Sequence, residues 1–149
     1  MVSLVLVAHS DRLLDALVEL IAATTATPPR CCTAGGTDDG RMGTSLARIR
    51  AALGAGLDAG DGGCLVLYDT GSAWLTIGFA LDELSADERS RLVLSNGPLV
   101  EGALAAAARA ADGAGLAEVA EAAASALERD KRPDDGPMTD EDSTVRLTA

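Results

Sequence analysis

The chain has 149 residues, 48% of them apolar, and only three aromatic side chains, Tyr68, Trp74 and Phe79. A single domain with an aliphatic core of Ala, Leu and Val follows, as helices packed on a small sheet would supply. The net charge of −11 excludes nucleic acid and anionic membrane surfaces as partners, because a polyanion needs Lys/Arg neutralisation, and suits a basic protein partner.

Val2 to Ala8 (VSLVLVA) is a short apolar run rich in β-branched residues, as in a strand covered on both faces. The run starts at once and lacks a basic n-region, so no signal peptide is expected. His9-Ser10-Asp11 follows. Leu14, Leu17, Val18 and Ile21 then mark one face of a helix capped by Ser10 or Asp11. Arg30 to Ala34 (RCCTA) is a second strand candidate, and Gly35 to Gly43 (GGTDDGRMG) a polar loop. Thr44 or Ser45 caps a second helix with Leu46, Ile49, Leu53 and Leu57 on its apolar face. Cys64 to Tyr68 (CLVLY) is the clearest buried strand and ends in Asp69-Thr70-Gly71-Ser72. Trp74, Ile77, Leu81 and Leu84 mark a third helix. Leu92 to Leu94 is a fourth strand, and two Ala-rich helices follow over about 100–111 and 116–129. Residues 130–149 are polar without an apolar period and are expected to form a disordered tail after a domain spanning 1–129.

Strands alternating with helices predict an α/β fold: a doubly wound, mainly parallel four-stranded sheet with helices on both faces, of order 2-1-3-4. No apolar run approaches the roughly 18 residues that cross a bilayer. Cys31, Cys32 and Cys64 are odd in number, and the first two are adjacent. That is neither a disulfide framework nor a zinc spacing, and one histidine rules out a histidine-rich metal site. A cytoplasmic protein without metal or cofactor is expected.

In such a sheet, ligands collect beyond the carboxyl ends of the strands, where the strand order reverses. His9 ends the first strand and Asp69 the third, and the order 2-1-3-4 makes those strands neighbours. A carboxylate holding one ring N–H of a histidine fixes its tautomer and aims the other nitrogen outward as a nucleophile. Nε2 is the expected nucleophile, with Nδ1 on Asp69. The helix start at Ser10, with Gly71 and the hydroxyls of Ser10, Thr44 and Ser72, supplies donors for phosphoryl oxygens. His9 and Asp69 also fit plain turn residues, and the residues alone leave that reading open.

Four ordered stretches add to this: VSLVLVAHSDRLLDALVEL, AGGTDDGRMGTSLARI, LVLYDTGSA and NGPLVEGALAAA. Together they resemble the mannose-type enzyme IIA domain of the phosphotransferase system, in the branch that serves dihydroxyacetone kinase. The resemblance covers about residues 1–128. It implies that His9 is the phosphorylated histidine and Asp69 the carboxylate that orients it. The phosphoryl donor would be HPr, and the acceptor ADP on the nucleotide-binding kinase subunit. The resemblance also implies a homodimer and no metal on this chain. Thr70 departs from the family, which commonly has an aliphatic residue there. The alternatives are a sugar-transport enzyme IIA passing phosphate to a IIB protein, a non-catalytic interaction module, and a small-molecule-binding α/β domain.

Overall fold

The computed structural model describes residues 1–129, so the expected tail at 130–149 lies outside the described residues. The chain order is β1 (Ser3–Ala8), α1 (Asp11–Thr24), β2 (Cys31–Gly35), α2 (Leu46–Leu57), β3 (Cys64–Tyr68) and α3 (Gly71–Asp82). Then come α4 (Ala86–Ser90), β4 (Leu92–Leu94), α5 (Leu99–Ala111), α6 (Leu116–Ala124) and a 3-10 turn, Ser125–Glu128. All three strand pairings are parallel and the order is β2-β1-β3-β4. The doubly wound reading therefore holds, with β1 and β3 side by side at the reversal of direction.

Period-two alternation along the central strands divides the interior in two. Leu4, Leu6, Leu65 and Leu67 face α1, α5 and α6, together with Leu14, Leu17, Ile21 and the alanines of α5. Val5, Val7 and Val66 face α2 and α3, against Ile49, Leu53, Leu57 and Ile77. Ser3 is buried with them, and its hydroxyl donates to the Gly56 carbonyl at 2.7 Å. That bond removes the penalty a lone buried hydroxyl would carry.

The starts of α1 and α2 follow side-chain caps. Ser10 accepts from the Leu13 N–H at 3.4 Å and Ser45 from the Arg48 N–H at 3.1 Å, the interaction that makes serine a favoured N-cap. The Ser45 hydroxyl donates in turn to Asp38. Where β2 meets α1 the backbones nearly touch: a Cβ on Gly35 would stand 2.6 Å from Asp11 Cα. The next residue, Gly36, holds φ at +69°, a conformation glycine adopts without a Cβ penalty.

Three expectations change. α3 buries Ala73, Ile77 and Ala80, whereas Trp74, Leu75 and Phe79 are exposed. Small residues face the sheet because they let the helix axis come close, and the large apolar side chains turn outward. The last helix stops at Ala124 and tightens into the 3-10 turn rather than running to 129. Finally, α4 interrupts the path from α3 to β4. Its start carries a capping box in which Ser85 and Glu88 satisfy each other's backbone.

Among the described residues no helix is long and apolar enough to cross a membrane. Cys31, Cys32 and Cys64 are free thiols. Burial first, and the neighbouring Cys32 second, push the Cys31 thiol up to about 11. Burial also lifts Cys64 to about 11. Such thiols stay protonated and act as small apolar groups.

Candidate functional site

The β1–β3 register pairs Val7 with Tyr68, so Asp69 leaves β3 level with Ala8, one step before His9. The Asp69 N–H donates to the Val7 carbonyl at 3.2 Å and extends the ladder to that point. The next residue of each strand then turns its side chain into the same gap. The backbone N–H of His9 donates to Asp69 Oδ2 at 2.9 Å, and the Thr70 N–H donates to Oδ1 at 2.7 Å. The carboxylate is thus fixed by two main-chain donors before the imidazole is considered.

The ring completes the arrangement. His9 Nδ1 lies 2.9 Å from Asp69 Oδ1 and 3.0 Å from Oδ2. Partial burial alone would raise the Asp69 carboxyl. The donations from the His9 backbone and ring, from the Thr70 N–H, and the attraction of the ring outweigh burial and hold the carboxyl below its ordinary value. An ionised carboxylate only accepts hydrogen bonds, so Nδ1 carries the hydrogen. The lone pair of the neutral ring is therefore on Nε2. Ser72 Oγ stands 2.7 Å from Nε2 and donates to that lone pair. The His9 side chain is 26% exposed and that of Asp69 15%, so the site is a surface dyad rather than a buried one.

The flanking loop braces the histidine from behind. The Gly36 N–H donates to the Ala8 carbonyl at 3.2 Å and the Gly43 N–H to the His9 carbonyl at 3.0 Å. Within the loop, Asp39 accepts from Thr37 and Arg41. On α2, Arg48 Nη1 donates to Asp11 at 2.5 Å and to the Gly35 carbonyl at 2.7 Å, joining the starts of α1 and α2 to the end of β2.

Of the sequence-derived candidates, His9, Asp69 and Ser72 come together, and Gly71 begins α3 beside them. Ser10 and Thr44 do not direct their hydroxyls to the ring. The Ser10 hydroxyl caps α1, and Thr44 Oγ1 bonds Thr76 Oγ1 at 2.9 Å. Thr70, which the sequence marks only as a departure from the family pattern, has its hydroxyl 3.4 Å from His9 Nδ1. It is the N-cap residue of α3 and makes no side-chain cap bond. The signal was its place between Asp69 and Ser72 in the D-T-G-S turn. Among the described residues no group of three or more His, Cys, Asp or Glu side chains is set to hold a metal ion.

Residues 3–123 match the family model EIIA-man, described as the PTS system fructose IIA component. A protein from Providencia stuartii named as the phosphoryl donor subunit DhaM of a PEP-dependent dihydroxyacetone kinase is 36% identical over 132 residues. That match covers 86% of this chain and 27% of the relative. One of the same name from Klebsiella michiganensis is 39% identical over 131 residues, with the same shares. A Listeria innocua protein named as the corresponding subunit of dihydroxyacetone kinase 2 is 33% identical over 107 residues, covering 72% of this chain and 84% of the relative. The chain thus spans about a quarter of the first two relatives and most of the third. The crystal structure of an unknown function protein, EF1359, superposes with a TM-score of 0.70 at 30% identity, over 83% of this chain and 94% of that one. With a family model matched along most of its length, the chain belongs to the EIIA-man family, the PTS system fructose IIA component.

Proposed function

We propose that the protein is a phosphocarrier of a phosphoenolpyruvate-dependent dihydroxyacetone kinase, loaded on His9 by HPr and unloaded to ADP on the nucleotide-binding kinase subunit. The observation that carries this reading is the imidazole held through Nδ1 by Asp69 with its Nε2 lone pair at the surface. The name shared by the relatives, phosphoryl donor subunit, supports the kinase branch over sugar transport.

The mechanism follows from the hydrogen positions. As HPr docks, the Nε2 lone pair attacks the phosphorus of its phosphohistidine in line. The new Nε2–P bond forms as the donor's N–P bond breaks. No proton has to move, because Nδ1–H stays on Asp69 throughout. The phosphorylated ring is cationic, and the adjacent carboxylate stabilises it. The Ser72 hydroxyl leaves the lone pair and turns to a phosphoryl oxygen, at the N-terminal end of α3, whose dipole favours negative charge. On the acceptor subunit a terminal oxygen of ADP attacks, the Nε2–P bond breaks, and the ring returns to its neutral form. Positioning and charge compensation do the work, as phosphoryl transfer requires.

A site used by two proteins in turn has to be shallow, and its surroundings support that use. Trp74, Leu75 and Phe79 lie exposed on the same helix as Ser72, an apolar strip suited to protein contact. It serves the docking of partners and the pairing of two copies. A cytoplasmic setting belongs to the same reading and is supported by the free thiols.

The acceptor experiment tests the assignment. Protein phosphorylated through phosphoenolpyruvate, enzyme I and HPr is mixed with the ADP-loaded kinase subunit, and ATP is measured. ATP formed in step with loss of phosphate from the protein is expected. Transfer to a IIB protein, with none to ADP, would instead assign the protein to sugar transport.

A further inference from the structure

Ser72 Oγ, His9 Nε2, His9 Nδ1 and Asp69 Oδ1 form an unbroken chain, with 2.7 Å between hydroxyl and imidazole and 2.9 Å between imidazole and carboxylate. This order of groups activates a serine for acyl transfer on several unrelated folds, because the constellation is defined by roles and distances and not by sequence position. Phosphate carriage asks Nε2 to be a nucleophile and leaves Ser72 as a hydrogen-bond donor. The same chain makes Nε2 a base toward Ser72. We propose that Ser72 is a second nucleophile in this site and gives the protein an acyl-transfer activity toward small activated carboxylic esters.

The tautomer argues for it first. A base acting on Ser72 needs its lone pair on Nε2, and the two main-chain donors that hold Asp69 in place, from His9 and Thr70, keep the hydrogen on Nδ1. The setting of Ser72 argues second. It is the second residue of α3, directly after a strand and a tight turn. A serine in a helix commonly bonds back to a main-chain carbonyl, whereas this hydroxyl is on the imidazole. The third argument is the place where negative charge would develop. The first N–H groups of a helix have no intrahelical acceptor. The Ala73 N–H donates to the Thr70 carbonyl at 3.1 Å, while the N–H groups of Gly71 and Ser72 belong to the same first turn. Main-chain donors at a developing oxyanion stabilise it, and in this proposal that role falls to the Gly71 and Ser72 N–H groups. The contact lies at an exposed surface, so the activity is matched to small substrates and selects little among acyl groups.

In the first step Ser72 Oγ attacks the ester carbonyl carbon and its proton passes to Nε2. The tetrahedral intermediate collapses, the bond to the leaving oxygen breaks, and that oxygen takes the proton from Nε2. Water then attacks the acyl-serine and gives a proton to Nε2. The acyl–Oγ bond breaks, Oγ recovers the proton, and the carboxylic acid leaves. Water is the only co-reactant.

A fluorophosphonate reports on the nucleophile directly. Its Oγ–P bond forms as P–F breaks, with the serine proton taken by Nε2 and fluoride released. The purified protein is treated with the probe and the adduct located by peptide mass. One acid-stable adduct on Ser72 is expected, formed on the order of a hundredfold more slowly in His9→Ala, the scale of a lost general base. Hydrolysis of p-nitrophenyl acetate is expected to fall in Ser72→Ala to the rate that the imidazole of His9 supports by itself, and an unchanged rate would overturn the proposal. The proposal is overturned by an absent adduct, by an acid-labile adduct on His9, or by Ser72 labelling that keeps its rate in His9→Ala. Circular dichroism checks that each variant is folded, and labelling of the unmodified protein decides the matter without them. No phosphate transfer is read in this assay, so its failure would leave the phosphocarrier reading as it stands.

Discussion

Asp69 accepts from two main-chain N–H groups as well as from the ring of His9, so its charge is built into the end of β3 rather than recruited by the histidine. That gives a prediction about stability. A carboxyl held below its ordinary value of 3.8 stabilises the folded protein above that pH, and the contribution fades as pH falls through the lowered value. Asp69→Asn is therefore expected to lower the chemical-denaturation midpoint at pH 7 and to flatten its fall below about pH 4. An unchanged acid limb in the variant would contradict the assignment. Phosphate acceptance in Asp69→Asn is expected to drop on the order of a hundredfold, since tautomer control and stabilisation of the cationic ring are lost together. The His–Asp pair was legible because each residue directly follows an apolar run that can only be an interior strand. The roles of Thr70, Ser10 and Thr44 were not. Hydroxyls at helix starts choose between capping and the site, and that choice depends on torsions no spacing encodes.

At the scale of single elements, α3 shows how a size-based reading goes astray. Its large side chains suggested an inward face of Trp74, Ile77, Leu81 and Leu84, but the stripe at 3.6-residue spacing through Ala73, Ile77 and Ala80 is what meets the sheet. Enlarging that stripe is expected to cost more than trimming the exposed side. Ala73→Leu should destabilise by about 1–3 kcal/mol through overpacking, whereas Trp74→Ala should lie within about 0.5 kcal/mol of the parent. Urea titration of the two variants reads the contrast directly, and equal losses would place Trp74 in the core. For α2, Ser45→Ala removes the cap on the Arg48 N–H and a bond to Asp38, an expected loss of about 1 kcal/mol. Elsewhere the elements were readable. β3 and β4 fall where their apolar runs begin and end, α1 buries Leu14, Leu17 and Ile21, and α2 buries Ile49, Leu53 and Leu57 with Leu46 half-buried at its start. The short α4 is not legible in the periodicity, because five residues carry too little of it, although the S-x-x-E pattern of Ser85 and Glu88 marks its start.

Taken whole, the molecule combines a strongly acidic chain, a net −11, with a half-buried histidine at the sheet's switch point and an apolar strip on α3. The strand order made that geometry readable in advance, because it alone sets β1 beside β3 and so brings two residues sixty positions apart within hydrogen-bond reach. The direction in which the large side chains of α3 point was the part left to packing. The acidic surface is expected to speed encounter with a basic partner face, so the rate of phosphate transfer should fall as salt rises and screens it. Phe79→Asp places a charge in the apolar strip without touching the core. It should slow transfer between proteins while leaving the thermal midpoint nearly unchanged.

One measurement bears most directly on the central claim. The protein is incubated with phosphoenolpyruvate, enzyme I and an HPr shown to be active on another acceptor, and its intact mass is followed beside a His9→Ala control. The expected result is a gain of one phosphate, labile to acid and absent from the control. No gain, or a gain that persists in His9→Ala, would contradict the phosphocarrier reading and leave His9 and Asp69 as a hydrogen-bonded turn on a shared fold.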